Sequence, residues 1–173
     1  MKRLSILIVA ALLITGKVMA QLPPVSPCKT DHVYRQFDFW IGEWNVYGLK
    51  GQKAGESKVD LILDSCIILE NWTSSSAGYT GKSFNTYNAG TKQWQQTWVD
   101  NSGGTTEFLR GAAGESTITF WADNVIGPGG KAFHRRLTFF KLGNNKVRQW
   151  GERSDDDGKT WTTEYDLEYR RKM

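Results

Sequence analysis

The chain has 173 residues, with 22 Lys or Arg against 18 Asp or Glu and a formal net charge of +4. That length holds one domain with a proper core. The charge excess sits at the start: Lys2, Arg3 and Lys17 lie in the first twenty residues, and the remaining 19 basic residues face 18 acidic ones, a net +1. No surplus is left to suggest nucleic acid or an anionic membrane as a partner.

Residues 1–20 read as a secretory signal peptide. Lys2 and Arg3 form a basic start, Leu4 to Ile14 an apolar run, and Val18-Met19-Ala20 a cleavage site. The run is too short and wrongly flanked to span a membrane stably. The expected mature chain begins at Gln21 and has no membrane span. An even number of cysteines in an exported chain favours a Cys28–Cys66 disulfide over two separate thiols. Two cysteines and two distant histidines do not readily make a zinc site.

Residues 21–29 hold three of the four prolines and read as an extended lead-in. Residues 30–173 read as a single domain. Thr30 or Asp31 is placed to cap a short helix over His32–Phe37. The aromatic stretch FDFWIGEWNV, Phe37 to Val46, follows, and beyond Gly42 no helical period is visible.

Ten strands are predicted from alternation and β-branched or aromatic content: Glu43–Gly48, Ser57–Leu63, Ile67–Ser74, Lys82–Asn88, Gln93–Asp100, Thr105–Gly111, Ser116–Ala122, Lys131–Leu142, Lys146–Arg153 and Thr160–Arg171. The turns between them are rich in Gly, Asn and Asp, as in Asn101-Ser102-Gly103-Gly104, Gly127-Pro128-Gly129-Gly130 and Asp157-Gly158. Many short antiparallel strands in up-and-down order give a barrel or a sandwich, and the short connections favour the barrel.

The short helix running into Gly42-Glu43-Trp44 resembles the Gly-x-Trp opening of lipocalins and related calycin barrels. FDFWIGEWNVYG, SCIILENW, GKSFNTYN, WQQTWVDNSGG, KVRQWGERSDDDGKTWTTEYD and the closing YRR resemble segments of small, secreted, uncharacterised bacterial proteins with a lipocalin-like barrel. The resemblance runs from about Cys28 to Arg171. It implies an all-β, roughly ten-stranded calycin-like barrel with a short N-terminal helix, secreted or periplasmic in a bacterium, and it carries no activity. It also implies a basic residue of the last strand over the first-strand tryptophan. Arg171 shares a face with Tyr165, Leu167 and Tyr169, so it is the residue expected to stack on Trp44.

Ser154-Asp155-Asp156-Asp157-Gly158-Lys159-Thr160-Trp161 fits the Asp-box pattern that recurs in sialidase propellers. A single copy in a chain this short is better read as a hairpin device. Asp156 accepts turn amides, Gly158 supplies positive φ, and Trp161 anchors the returning strand. Some calycin barrels bind haem through a strand histidine, but His134 falls on the less apolar face of its strand, which places it outside and leaves no cofactor assigned. There is no nucleophile motif and no phosphate loop.

The remaining candidates are spread over several strands. Cys66, Ile68, Glu70 and Trp72 share one face. So do Ser83, Asn85 and Tyr87, then Trp94, Gln96, Trp98 and Asp100, and near the end Arg148, Trp150 and Glu152. If these faces point inward, they line a cavity with apolar walls and a few fixed polar groups; if outward, they form a solvated aromatic surface. Eight tryptophans exceed what an ordinary core of this size uses, which favours inward. The expected function is binding of a small, partly apolar ligand. Trp72, Trp98, Trp121 and Tyr87 are then its walls, and Glu70, Asn85, Gln96 and Arg148 its orienting groups. The alternatives are a hydrolase or isomerase using Glu70 and Asp100 as acid and base, or a filled barrel serving as an interaction domain.

Overall fold

A computed structural model describes residues 25–173. The predicted signal peptide and the start of the predicted lead-in lie outside them. The end of the lead-in is not extended: Pro27–Thr30 forms one α-helical turn (α1), with Ser26 Oγ accepting from Cys28 N. Proline at the first helical position costs no hydrogen bond, which lets this short turn form. A 3-10 turn, His32–Arg35, takes the place of the predicted helix, and Asp31 caps it through Val33 N at 3.1 Å.

Eleven strands follow: β1 (Gly42–Gly48), β2 (Lys53–Ile62), β3 (Ile67–Ser74), β4 (Thr80–Asn88), β5 (Gln93–Asp100), β6 (Thr105–Phe108), β7 (Arg110–Ala113), β8 (Thr117–Ile126), β9 (Ala132–Lys141), β10 (Lys146–Ser154) and β11 (Thr162–Arg171). They form one antiparallel sheet in the order β6-β5-β4-β3-β2-β1-β11-β10-β9-β8-β7. Its two outer strands fall where one strand, Thr105–Gly111, is predicted, with β7 running on to Ala113. The break falls at Leu109, where the chain leaves β5 as a partner and takes up β8. This change of partner turns ten predicted strands into eleven and brings the sheet round into a nearly closed barrel.

The N-terminal segment closes one end. The Cys28–Cys66 disulfide, formed as expected, ties it to the start of β3. Arg35 Nη2 donates to Ser65 O at 2.7 Å, and Trp94 Nε1 donates to Gln36 Oε1 at 3.1 Å. Phe37, Trp40 and Trp44 are fully buried there. Phe37 stacks on Trp40 at 5.1 Å and meets Phe139 at 4.9 Å, and Trp44 Nε1 donates to Trp40 O at 2.8 Å. Each such ring contributes about 2–3 kcal/mol by leaving water. Arg171 completes the seal, its guanidinium carbon 4.3 Å above the Trp44 ring and its Nη1 donating to Ile41 O. Phe37-Asp38-Phe39-Trp40 is thus both part of the core and the stopper of the barrel.

Candidate ligand cavity

Aromatic packing fills the closed half of the barrel and stops at the level of Glu70. Above it lies a cavity of about 490 Å³ that opens at the far end, between the β5–β6 loop at Gly104 and the β8–β9 loop at Gly127. Its walls are Trp72 on β3, Trp98 on β5, Phe108 on β6, Phe133 on β9, and Tyr165 and Leu167 on β11. Trp72, Trp98 and Tyr165 do not fill it, because each is seated against a glycine. A β-carbon at Gly55 would lie 2.7 Å from Trp72 Cη2, and one at Gly81 or Gly151 would overlap Trp98 or Tyr165.

The floor is a directed hydrogen-bond network. Gln96 Nε2 donates to Asn85 Oδ1 at 2.7 Å, Asn85 Nδ2 to Ser83 Oγ at 3.0 Å, and Ser83 Oγ to Glu70 Oε2 at 3.0 Å. Ser57 Oγ donates to Glu70 Oε1 at 2.9 Å. Tyr169 OH lies 3.2 Å from Glu70 Oε1 and 2.8 Å from Gln149 Oε1, so its one proton is shared between two acceptors. The backbone sets the direction of this chain, since Asn85 Nδ2 also donates to Ile68 O and so must face that way. Glu70 is 2% exposed, and burial pushes its pKa up to about 7 against the pull of its three hydroxyl donors. The far amide ends of Gln96 (Oε1) and Gln149 (Nε2) have no protein partner among the described residues. They are polar groups left unpaired at the cavity.

At the rim, Asp100 Oδ1 accepts from Ser102 N and Gly104 N at 2.9 and 3.0 Å, and Oδ2 from Tyr79 OH and Trp98 Nε1 at 3.2 and 3.3 Å. The Ser102 hydroxyl, with these amides, holds the carboxyl down at about 2. Asp100 shapes the mouth and orients Trp98. It does not meet Glu70, which lies two residue levels deeper along the ladder through Gly81 and Ser83.

The predicted site residues therefore divide. Glu70, Trp72, Gln96 and Trp98 line the cavity. Asn85 is fully buried one layer behind it and acts through Gln96. Tyr87 lies edge-on to Tyr34 and Trp94 under the N-terminal segment, not in the cavity. Arg148 and Trp121 lie on the outer surface, a correction in each case. On β10 it is Val147, Gln149 and Gly151 that turn inward, while Arg148 pairs with Asp166 through Nε at 2.8 Å and covers Phe140 and Trp150 outside. On β8 the inward residues are Ile118, Phe120 and Ala122, so Trp121 faces out beneath Arg110. Tyr87 and Trp121 meet instead in an outer depression of about 400 Å³ beside β7.

Sequence reasoning missed Arg135, Gln149, Tyr165 and Tyr169 as cavity residues. A signal existed for three of them: Arg135 shares the face of Phe133, Leu137 and Phe139, and the last-strand tyrosines share that of Arg171. The Ser154–Trp161 motif forms a hydrogen-bonded hairpin turn. Ser154 Oγ accepts from Gly158 N at 2.8 Å, Asp156 Oδ1 from Thr160 N at 2.8 Å, and Trp161 Nε1 donates to Gly158 O at 3.1 Å. His134 lies on the outer face between Asp123 and Asp157.

No family model matches the chain, and no curated protein matches it in sequence. Among the described residues, no helix is long and apolar enough to cross a membrane.

Proposed function

We propose that this is an exported small-molecule binding protein whose ligand enters the open half of the barrel. One observation carries the reading: a cavity of about 490 Å³ combines aromatic walls with a floor of buried, mutually fixed polar groups. Such a site orients a ligand without reorganising, so little of the binding energy is lost to ordering side chains. The disulfide fits an oxidising compartment, and the resemblance to secreted bacterial barrels supports the same placement. Native mass spectrometry of the exported protein tests it. The expected result is an added small-molecule mass that Trp98→Ala removes while the fold survives; a bare chain that also fails to bind any member of a metabolite library overturns it.

An acid–base enzyme is the second reading, favoured by Glu70, whose pKa near neutrality suits proton transfer. Asp100 gives it no help, being committed to the rim turn. Saturable binding without turnover supports the carrier, and turnover lost in Glu70→Gln supports the enzyme.

A further inference from the structure

The cavity carries an imbalance of charge. Three of its lining residues are charged: Glu70, Asp100 and Arg135. Arg135 is already matched, its Nε and Nη2 donating to the two Glu164 oxygens at 2.8 and 3.1 Å and its Nη1 to Thr106 Oγ1 at 3.0 Å. Neither acid has a cationic partner among the described residues; both are held by neutral donors alone. For Asp100, at the wet rim, this costs little. For Glu70 it means a carboxylate sealed at the floor with no counter-ion, an arrangement that folds normally avoid by pairing or by neutralising the group.

The groups facing Glu70 leave the charge uncompensated from every side. Ser57 comes from β2, Ser83 from β4, and Tyr169 from β11. Of the β11 tyrosines that feel Glu70, Tyr169 is buried and its pKa is raised well above the ordinary value, and that of the more open Tyr165 is raised as well, so neither carries charge near neutral pH. A carboxylate offers about four acceptor positions, and three are taken. Above it stand the electron-rich rings of Trp72, Trp98 and Tyr165, which attract cations when water is excluded.

Building on the binding role above, we propose that the cavity takes an organic cation with an apolar body, its ammonium lying between the Glu70 carboxylate and the rings of Trp72, Trp98 and Tyr165. The ligand supplies the counter-ion that the fold omits. Attraction across this apolar site is stronger than the same pair would feel in water. Without a cation Glu70 is partly protonated near neutral pH, so capture there releases a fraction of a proton.

The test uses 2-phenylethylamine, with 2-phenylethanol as the neutral analogue and phenylacetate as the anion, titrated into the full chain and followed by tryptophan fluorescence and calorimetry. At about pH 8 the amine is expected to bind roughly tenfold or more tighter than the alcohol, with phenylacetate weakest, and the preference shrinks as pH falls through the Glu70 transition. Calorimetry in buffers of different ionisation enthalpy shows proton release near neutrality. In Glu70→Gln the preference collapses to about twofold or less, with near-ultraviolet circular dichroism reporting an intact barrel. Trp98→Leu, which keeps apolar bulk, narrows it as a second and independent variant. Equal binding of amine and alcohol, or a preference that survives Glu70→Gln, overturns the cation assignment and leaves the binding role standing. Binding of none of the three likewise overturns the cation assignment, and the binding role is then decided by native mass spectrometry and the metabolite library.

Discussion

The six-membered ring of Trp98 occupies the space that a β-carbon on Gly81 would fill, on the neighbouring strand β4. The wall is thinned at that point and the indole settles into it. Tyr165 is seated on Gly151 in the same way, across the β10–β11 ladder. Large rings therefore line the upper barrel without occupying it.

Gly81→Ala is expected to drive Trp98 into the cavity. The added methyl also falls 2.9 Å from Val99 O, so the ring is the part that yields. Overpacking of this kind costs about 1–3 kcal/mol, while ligand binding suffers more because the void is lost. The three atoms nearest a β-carbon at Gly151 all belong to Tyr165, which makes Gly151→Ala the cleaner companion. Parallel melting and ligand titrations check this; a stability loss with unchanged affinity shows that the ring seats do not hold the cavity open.

Glu70 gives stability a pH dependence of definite sign. Its folded-state pKa, about 7, lies above the ordinary value of 4.5. The native protein therefore holds this proton more tightly than the unfolded chain does. The stabilisation is fully present below the ordinary value, is lost as pH rises toward the folded value, and stays lost above it. The amount is on the order of 3 kcal/mol. Asp100 and Asp156, both lowered, slope the other way at more acid pH, so the quantity to measure is the difference between wild type and Glu70→Gln. Urea unfolding across this range is expected to show that difference moving in favour of the glutamine variant as pH rises; a flat difference rejects the assignment.

Trp44→Ala acts on the opposite end of the barrel. The ring is fully buried and hydrogen-bonded to Trp40 O, so its loss is expected to cost about 3–5 kcal/mol. Arg171→Met keeps the bulk over the ring and removes the cation–π contact, for about 0.5–2 kcal/mol. Denaturant unfolding measures both. Ligand affinity in folded Arg171→Met is expected to match wild type, since the seal and the cavity occupy different halves.

Replacing Cys28 and Cys66 together by serine releases the N-terminal segment from the start of β3. The separation of 38 residues sets an upper bound of about 4 kcal/mol from loop entropy. Melting of the oxidised, reduced and double-serine proteins checks this, with the last two expected to coincide.

Much of this architecture is legible along the chain because it rests on local periods. Alternation places Ile68, Glu70 and Trp72 on one face and Gln96 and Trp98 on another, and Gly-rich turns mark where strands reverse. The stopper is legible too, since Phe37, Trp40 and Trp44 crowd together just before the first strand. Alternation does not say which of two faces is the inside, however, when both carry polar groups. On β10, Arg148-x-Trp150-x-Glu152 looks more like a site than Val147-x-Gln149-x-Gly151. Only barrel closure, which brings Asp166 alongside Arg148 outside and Tyr169 alongside Gln149 within, separates them. The break at Leu109 likewise depends on two partner strands lying far apart in sequence. The void has the same origin: it exists because Trp98 rests on Gly81 and Tyr165 on Gly151, contacts between strands that no residue spacing encodes. The want of a counter-ion at Glu70 is a property of the space around it, and only the folded barrel defines that space.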